Sequence, residues 1–188
     1  MNLALLIVDL QRALFENNKR FDAEGVVARI NQLARMVRTG GGPVIFIQHD
    51  GPPGDELAPH TPGWRILAAL EKAPNDAVIR KTACDAFYRT DLERYLKERG
   101  IRRLIVTGCA TDFCVDTTVR SAASRDFEVL VAADGHTTAD RPHLDAATII
   151  RHHNYMWENL ILPGSPVTIQ PTKGLMRTLN LSSSETVR

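Results

Sequence analysis

Residues 103–123 read RLIVTGCATDFCVDTTVRSAA. RLIVTG (103–108) is an apolar run of strand length, and Val115, Val119, Ala122 and Ala123 then recur at helical spacing. Between them lies a short turn holding Cys109 and Cys114. The same strand-then-helix rhythm extends in both directions. LALLIV (3–8), VIFIQ (44–48), AVI (77–79), EVLVAAD (128–134) and PVTIQ (166–170) read as further strands. Val26, Val27, Ile30, Leu33, Ala34 and Val37 mark a helix that Gly40–Gly42 stops. Ile66, Leu67 and Leu70 suggest a short helix. Thr90 with Glu93 has capping-box spacing before a helix that Gly100 closes. Asp140-Arg141-Pro142 is a helix start leading to about Tyr155. Strands that are apolar throughout and alternate with helices imply a parallel sheet covered on both faces. The expected fold is a three-layer α/β/α domain over residues 1–175 with a six-stranded parallel sheet. Residues 176–188, with LSSSETVR, read as a loosely held tail.

The 188 residues suit one core, with 44% hydrophobic and 24% charged residues. A net charge of +1 without a basic block argues against nucleic acid as a partner. No apolar stretch is long enough to span a bilayer. MNLALLIVDLQ lacks a basic leader and a small-residue cleavage site, so it reads as a first strand and not a signal peptide. Three irregularly spaced cysteines build neither a disulfide framework nor a CxxC zinc site. A reducing, cytoplasmic setting is expected.

In open parallel sheets ligands bind beyond the carboxyl ends of the strands. Those ends carry Asp9, His49-Asp50, Lys81, Gly108-Cys109-Ala110 and Asp134-Gly135-His136, with Cys114 just past the fourth. A carboxylate, a lysine and a thiol would therefore meet on one rim. A cation and a helix N-terminus both favour a thiolate, and Cys114 is expected to have both. Asp9 could take the thiol proton and later activate water. Backbone N–H groups at the helix start could hold an oxyanion. Singly, each residue has a plainer reading: Cys114 as a small buried hydrophobe, Asp9 as a turn cap, Lys81 as a solvated charge.

ALLIVDLQ with Asp9, VIRK with Lys81, VTGCATDFCVDTTVRSA with Cys114, and VAADGHTT resemble the isochorismatase-like cysteine hydrolases from about Leu3 to Ile169. The T-G-x-x-T-D-x-C-V segment is the most specific part. The resemblance implies a catalytic triad of Asp9, Lys81 and Cys114. It also implies a cis peptide between Cys109 and Ala110 that aims the Ala110 N–H, with that of Cys114, at an oxyanion. Cys109 is then not a second nucleophile. The implied chemistry is attack of Cys114 on an amide-type carbonyl, loss of the amine, and hydrolysis of the thioester. Fast alkylation of Cys114 relative to Cys84 at neutral pH is the corresponding expectation.

Within this family nicotinamidases carry an Asp-x-His pair after the second strand to bind a metal. Here QHDGPPGDELAPH has His49-Asp50 adjacent, with His60 downstream. No metal or other cofactor is therefore expected, and a site made from His49, Asp50 and His60 is the alternative. Isochorismatases proper cleave a vinyl ether, which Asp9 could serve as an acid. A non-catalytic binding module is the remaining reading, but no dinucleotide fingerprint or P-loop is present. Phe15, His49, Trp64, Phe87 and Phe113 are the expected pocket walls for a small planar substrate. His136 and Asp134 would organise the loop after the fifth strand. His152-His153 would face solvent or a partner. YMWENLIL (155–162) suits either core or an interface, and a homo-oligomer is the default expectation.

Overall fold

Alternate side chains of the first strand go to opposite faces of a sheet, and both faces are buried. In the computed structural model, which describes residues 2–16, 19–164 and 166–185, β1 spans Leu3–Val8 and none of its residues is exposed. Leu3, Leu5 and Ile7 enter one core, while Ala4, Leu6 and Val8 enter the other. The remaining strands are β2 (Val44–His49), β3 (Ala77–Lys81), β4 (Arg103–Cys109), β5 (Glu128–Thr137) and β6 (Thr168–Gln170). They form one parallel sheet in the order β3-β2-β1-β4-β5-β6.

The helices are α1 (Ala13–Glu16), α2 (Ala23–Thr39), α3 (Leu92–Glu98), α4 (Asp116–Ala123), α5 (Ala146–Glu158) and α6 (Thr172–Glu185). Leu92, Leu96, Val119, Ala122 and Trp157 bring α3, α4 and α5 onto one face. Val27, Ile30, Leu33 and Leu175 bring α2 and α6 onto the other. This is the three-layer arrangement expected.

Several local expectations are corrected. No helix forms at Ile66–Leu70. The Leu67 N–H instead donates to Leu10 O at 2.9 Å, and Gln11 pairs with Ile66 as an isolated antiparallel bridge. Three apolar residues are too few to hold a helix when pairing with the chain after β1 is available. The buried Gln11 side chain reinforces that pairing: its Nε2 donates to His49 O and Trp64 O at 2.9 and 3.0 Å. Helix α5 starts at Ala146, not near Asp140, because Asp145 accepts from the Thr148 N–H at 2.8 Å as its cap. Asp140 only accepts from the Ala146 N–H at 2.8 Å, and Arg141 turns away to Asp112. The Thr90–Glu93 capping box is not made. Thr90 donates to Ala86 O at 2.6 Å, and Glu93 faces Lys97 and Arg125.

The expected tail from residue 176 lies largely within α6, and Leu175 and Leu179 are buried. His136 belongs to β5 and not to a following loop. Asp134 accepts from the Thr172 N–H and hydroxyl, both at 2.7 Å, at the start of α6. In the 155–162 stretch, Trp157 is core while Tyr155, Met156 and Ile161 are exposed. His152 is exposed, and His153 Nδ1 lies 2.9 Å from Ile149 O. No helix among the described residues is long and apolar enough to cross a membrane.

Candidate active site

Three strand ends and one turn build the site. β1 ends at Asp9, whose φ of 47° turns the chain sharply out of the sheet after its N–H donates to Ile47 O at 2.9 Å. A non-glycine residue in this left-handed region is uncommon and costs on the order of 1–3 kcal/mol, so the surrounding structure must enforce it. β2 and β3 end in register, His49 opposite Lys81. β4 ends at Cys109, followed by a cis peptide to Ala110 and a π-helical turn, Thr111–Val115. Gly108 makes this end possible. Its φ is 124°, and a Cβ there would sit 2.1 Å from Val8 O. Only glycine lets β4 approach β1 this closely.

Lys81 reaches over the end of β2. Its Nζ lies 2.6 Å from Asp9 Oδ2 and 3.3 Å from Cys114 Sγ, and it donates to Ala83 O at 2.9 Å. His49 Nδ1 is 3.4 Å from the same nitrogen. Asp9 and Lys81 are 1% and 2% exposed. Asp9 Oδ1 is buried without a hydrogen-bond partner at normal geometry, so its lone pairs stay available to accept a proton.

The electrostatics revise the expectation of a preformed thiolate. Burial pushes the Cys114 thiol up, the Asp9 carboxylate pushes it further, and Lys81 only partly opposes them. Cys114 also stands in the fourth position of the π turn and does not open a helix. Burial raises Asp9 as well, against the pull of Lys81. Lys81 stays charged: burial lowers it, but Asp9 and then Cys114 outweigh that. A thiol whose surroundings favour its protonated form thus lies beside the Asp9–Lys81 ion pair. Cys109 is fully buried and burial drives its thiol up to about 12, which leaves it inert.

Above this set lies a cavity of about 350 Å³, the size of a small-molecule site. Asp9, His49 and Cys114 stand in its wall with the Ala110 turn. Leu14, Leu57 and Phe113 supply apolar surface, and Arg20 and Arg141 supply charge. Of the five expected wall residues, His49 and Phe113 line this cavity. Phe15, Trp64 and Phe87 do not. Phe15 packs against the α2-side core while its neighbour Leu14 faces the cavity. Trp64 donates its Nε1–H to Asp50 Oδ1 at 2.8 Å, and Phe87 is core, its ring 5.8 Å from that of Phe127.

Arg20, Arg141 and Asp112 were not singled out from the sequence. Arg141 makes a two-pronged contact to Asp112, at 2.7 and 3.0 Å, and its guanidinium lies 5.0 Å from the Phe113 ring centre. Asp112 also accepts from the Thr138 hydroxyl at 2.6 Å. The signal that could have found Asp112 is its place in the T-D-x-C-V segment.

His49, Asp50 and His60 do not fit a metal site. Asp50 is held by Trp64 and by Arg80 at 2.7 Å, and the His60 ring packs on Trp64 at 5.5 Å. His49 faces Lys81, and burial, then Lys81, lowers its proton affinity. Among the described residues no three His, Cys, Asp or Glu side chains are placed to hold a metal ion. Among the described residues Cys84, Cys109 and Cys114 are all free thiols.

Residues 3–160 match the family model of the isochorismatase domain. The chain is similar to streptothricin hydrolase of Streptomyces noursei, 38% identical over 140 residues that cover 74% of this chain and 56% of that protein. It therefore spans about half the length of the streptothricin hydrolases it matches. It is 29% identical over 182 residues to ureidoacrylate amidohydrolase RutB of Methylorubrum extorquens, covering 77% of this chain and 73% of that one. Its fold is similar to the crystal structure of an isochorismatase family protein, with a TM-score of 0.82 and 34% identity over 90% of this chain and 98% of the other.

Proposed function

The chain belongs to the isochorismatase family, and on that premise we propose that it is a cysteine-dependent hydrolase that cleaves a C–N bond in a small amide-type substrate. The observation that carries this reading is the contact of Lys81 Nζ with both Asp9 and Cys114 at the base of one small cavity. The names of two relatives, a hydrolase and an amidohydrolase, support the bond type.

Cys114 Sγ attacks the carbonyl carbon while Asp9 takes the thiol proton, because the resting thiol is protonated and needs an adjacent base. The carbonyl oxygen becomes an oxyanion, held by the N–H groups of Ala110 and Cys114. Asp9 passes the proton to the leaving nitrogen, the C–N bond breaks, and a thioester remains. Water then loses a proton to Asp9 and attacks the thioester carbonyl. The C–S bond breaks and the thiol regains its proton. Lys81 favours the ionised form of Asp9 against burial and stabilises negative charge on sulfur without forming a covalent bond. No step uses a cofactor.

Ammonia release from a panel of small carboxamides, ureas and carbamoyl compounds tests this. Wild type should release ammonia from at least one compound, and Cys114→Ala should lower the rate by at least about a thousandfold, the scale of losing a nucleophile. Equal release by the two proteins would remove Cys114 from the chemistry.

A further inference from the structure

Arg20 is 8% exposed and lines the cavity that holds Cys114. Its Nε donates to Leu14 O at 2.6 Å, which fixes the plane of the guanidinium. Among the described residues no carboxylate lies within ion-pair distance of it. Arg141, the other arginine of the wall, differs: Asp112 offsets its charge through two contacts. Both guanidiniums act on Cys109, the residue before Ala110, so their charge is felt at the reacting end of the cavity.

A cation taken out of water without a counter-charge is costly. Arg20 is buried without an ion-pair partner among the described residues, at the wall of a cavity sized for a small molecule. A planar guanidinium with a fixed Nε presents its remaining N–H groups as a fork that matches a carboxylate. We propose that the substrate is a small amide carrying a carboxylate, and that Arg20 binds that carboxylate while the amide carbonyl meets Cys114. The proposal deepens the amide-hydrolase reading and rests on it. Leu14, Leu57 and Phe113 would then cover the short apolar link between the two ends. Arg20 acts here as a specificity residue. It binds the end of the substrate where no bond changes.

The test separates binding from turnover. In Cys114→Ala protein, calorimetry would measure malonamate, succinamate and glutaramate against their neutral diamides, which have nearly the same shape. At least one acid should bind tenfold or more tighter than its diamide. Adding Arg20→Gln should erase the preference, and Arg20→Lys, which keeps the charge, should retain part of it. Equal affinity of acids and diamides, binding of none of them, or a preference that survives Arg20→Gln would each overturn the proposal. The acid-against-diamide comparison needs no change at position 20, so it decides the substrate class even where R20Q fails to fold. Ammonia release by wild type is read separately. An Arg20-dependent preference without turnover would leave the anion site standing and remove the amidase reading.

Discussion

Cys114 is surrounded by groups with opposite effects on its proton. Burial and the Asp9 carboxylate hold the proton on the sulfur, and Lys81 draws it off. The first two win, so the thiol sits above its ordinary value of 9.0. A nucleophile kept neutral until substrate arrives depends on its base at the moment of attack, which ties Cys114 to Asp9 more closely than a standing thiolate would. The resulting prediction concerns alkylation. In Cys84→Ala protein, the rate of Cys114 modification by iodoacetamide, followed by mass spectrometry, should have a pH midpoint above 9.0. Asp9→Asn should move that midpoint down, because it removes a neighbouring negative charge. A wild-type midpoint well below 9.0 would restore the preformed thiolate that the sequence suggested.

At the scale of elements, the π turn carrying Cys114 is held from behind by β5 and α5. His136 Nδ1 is 2.9 Å from the Thr111 hydroxyl, and its Nε2 is 3.0 Å from Asn154 Oδ1. Neutral imidazole satisfies both contacts, with Nε2–H donating to Asn154 and Nδ1 accepting from Thr111. Burial pushes His136 down to about 4 from 6.5. The folded chain thus binds fewer protons here than the unfolded chain between those values. Its stability is full above pH 6.5 and falls as pH drops toward 4, by about 3 kcal/mol in all. Urea denaturation should show about 2 kcal/mol lost between pH 7.5 and 5. His136→Gln should flatten that loss, and an unchanged slope in the variant would place the titration elsewhere. The role of His136 was not legible because a strand-end histidine in sequence looks the same whether it faces a loop or a turn on another element.

Across the whole molecule, the sheet is sandwiched between α3, α4 and α5 on one side and α2 and α6 on the other. Helix α6 closes the second layer, with Leu175 and Leu179 packed among residues of α2 and β5. Two buried leucines are worth about 3–6 kcal/mol. Ending the chain after Pro171 should lower the stability measured in urea by roughly that amount, whereas an unchanged midpoint would return residues 176–185 to the role of a tail. The low hydrophobic periodicity of NLSSSE (180–185) hid this helix: its buried contacts come from Leu175 and Leu179 just before that segment.

Residue pattern alone determined the parallel sheet, its six strands and the rim where Asp9, Lys81 and Cys114 end or follow their strands. The reason is physical: a strand buried on both faces must be apolar throughout, so the polar residue that ends it stands out. What the sequence could not decide is which side chains from the connecting segments fold over that rim. Leu14 and not Phe15 faces the cavity, Trp64 turns to Asp50, and no helix forms at 66–70. Arg20 and Arg141 are two of many basic residues in the chain, and only the tertiary structure shows that, among the described residues, Arg141 has an ion-pair partner and Arg20 does not. The protonation state of Cys114 was likewise out of reach, since burial and the distance to Asp9 set it and neither is encoded in spacing.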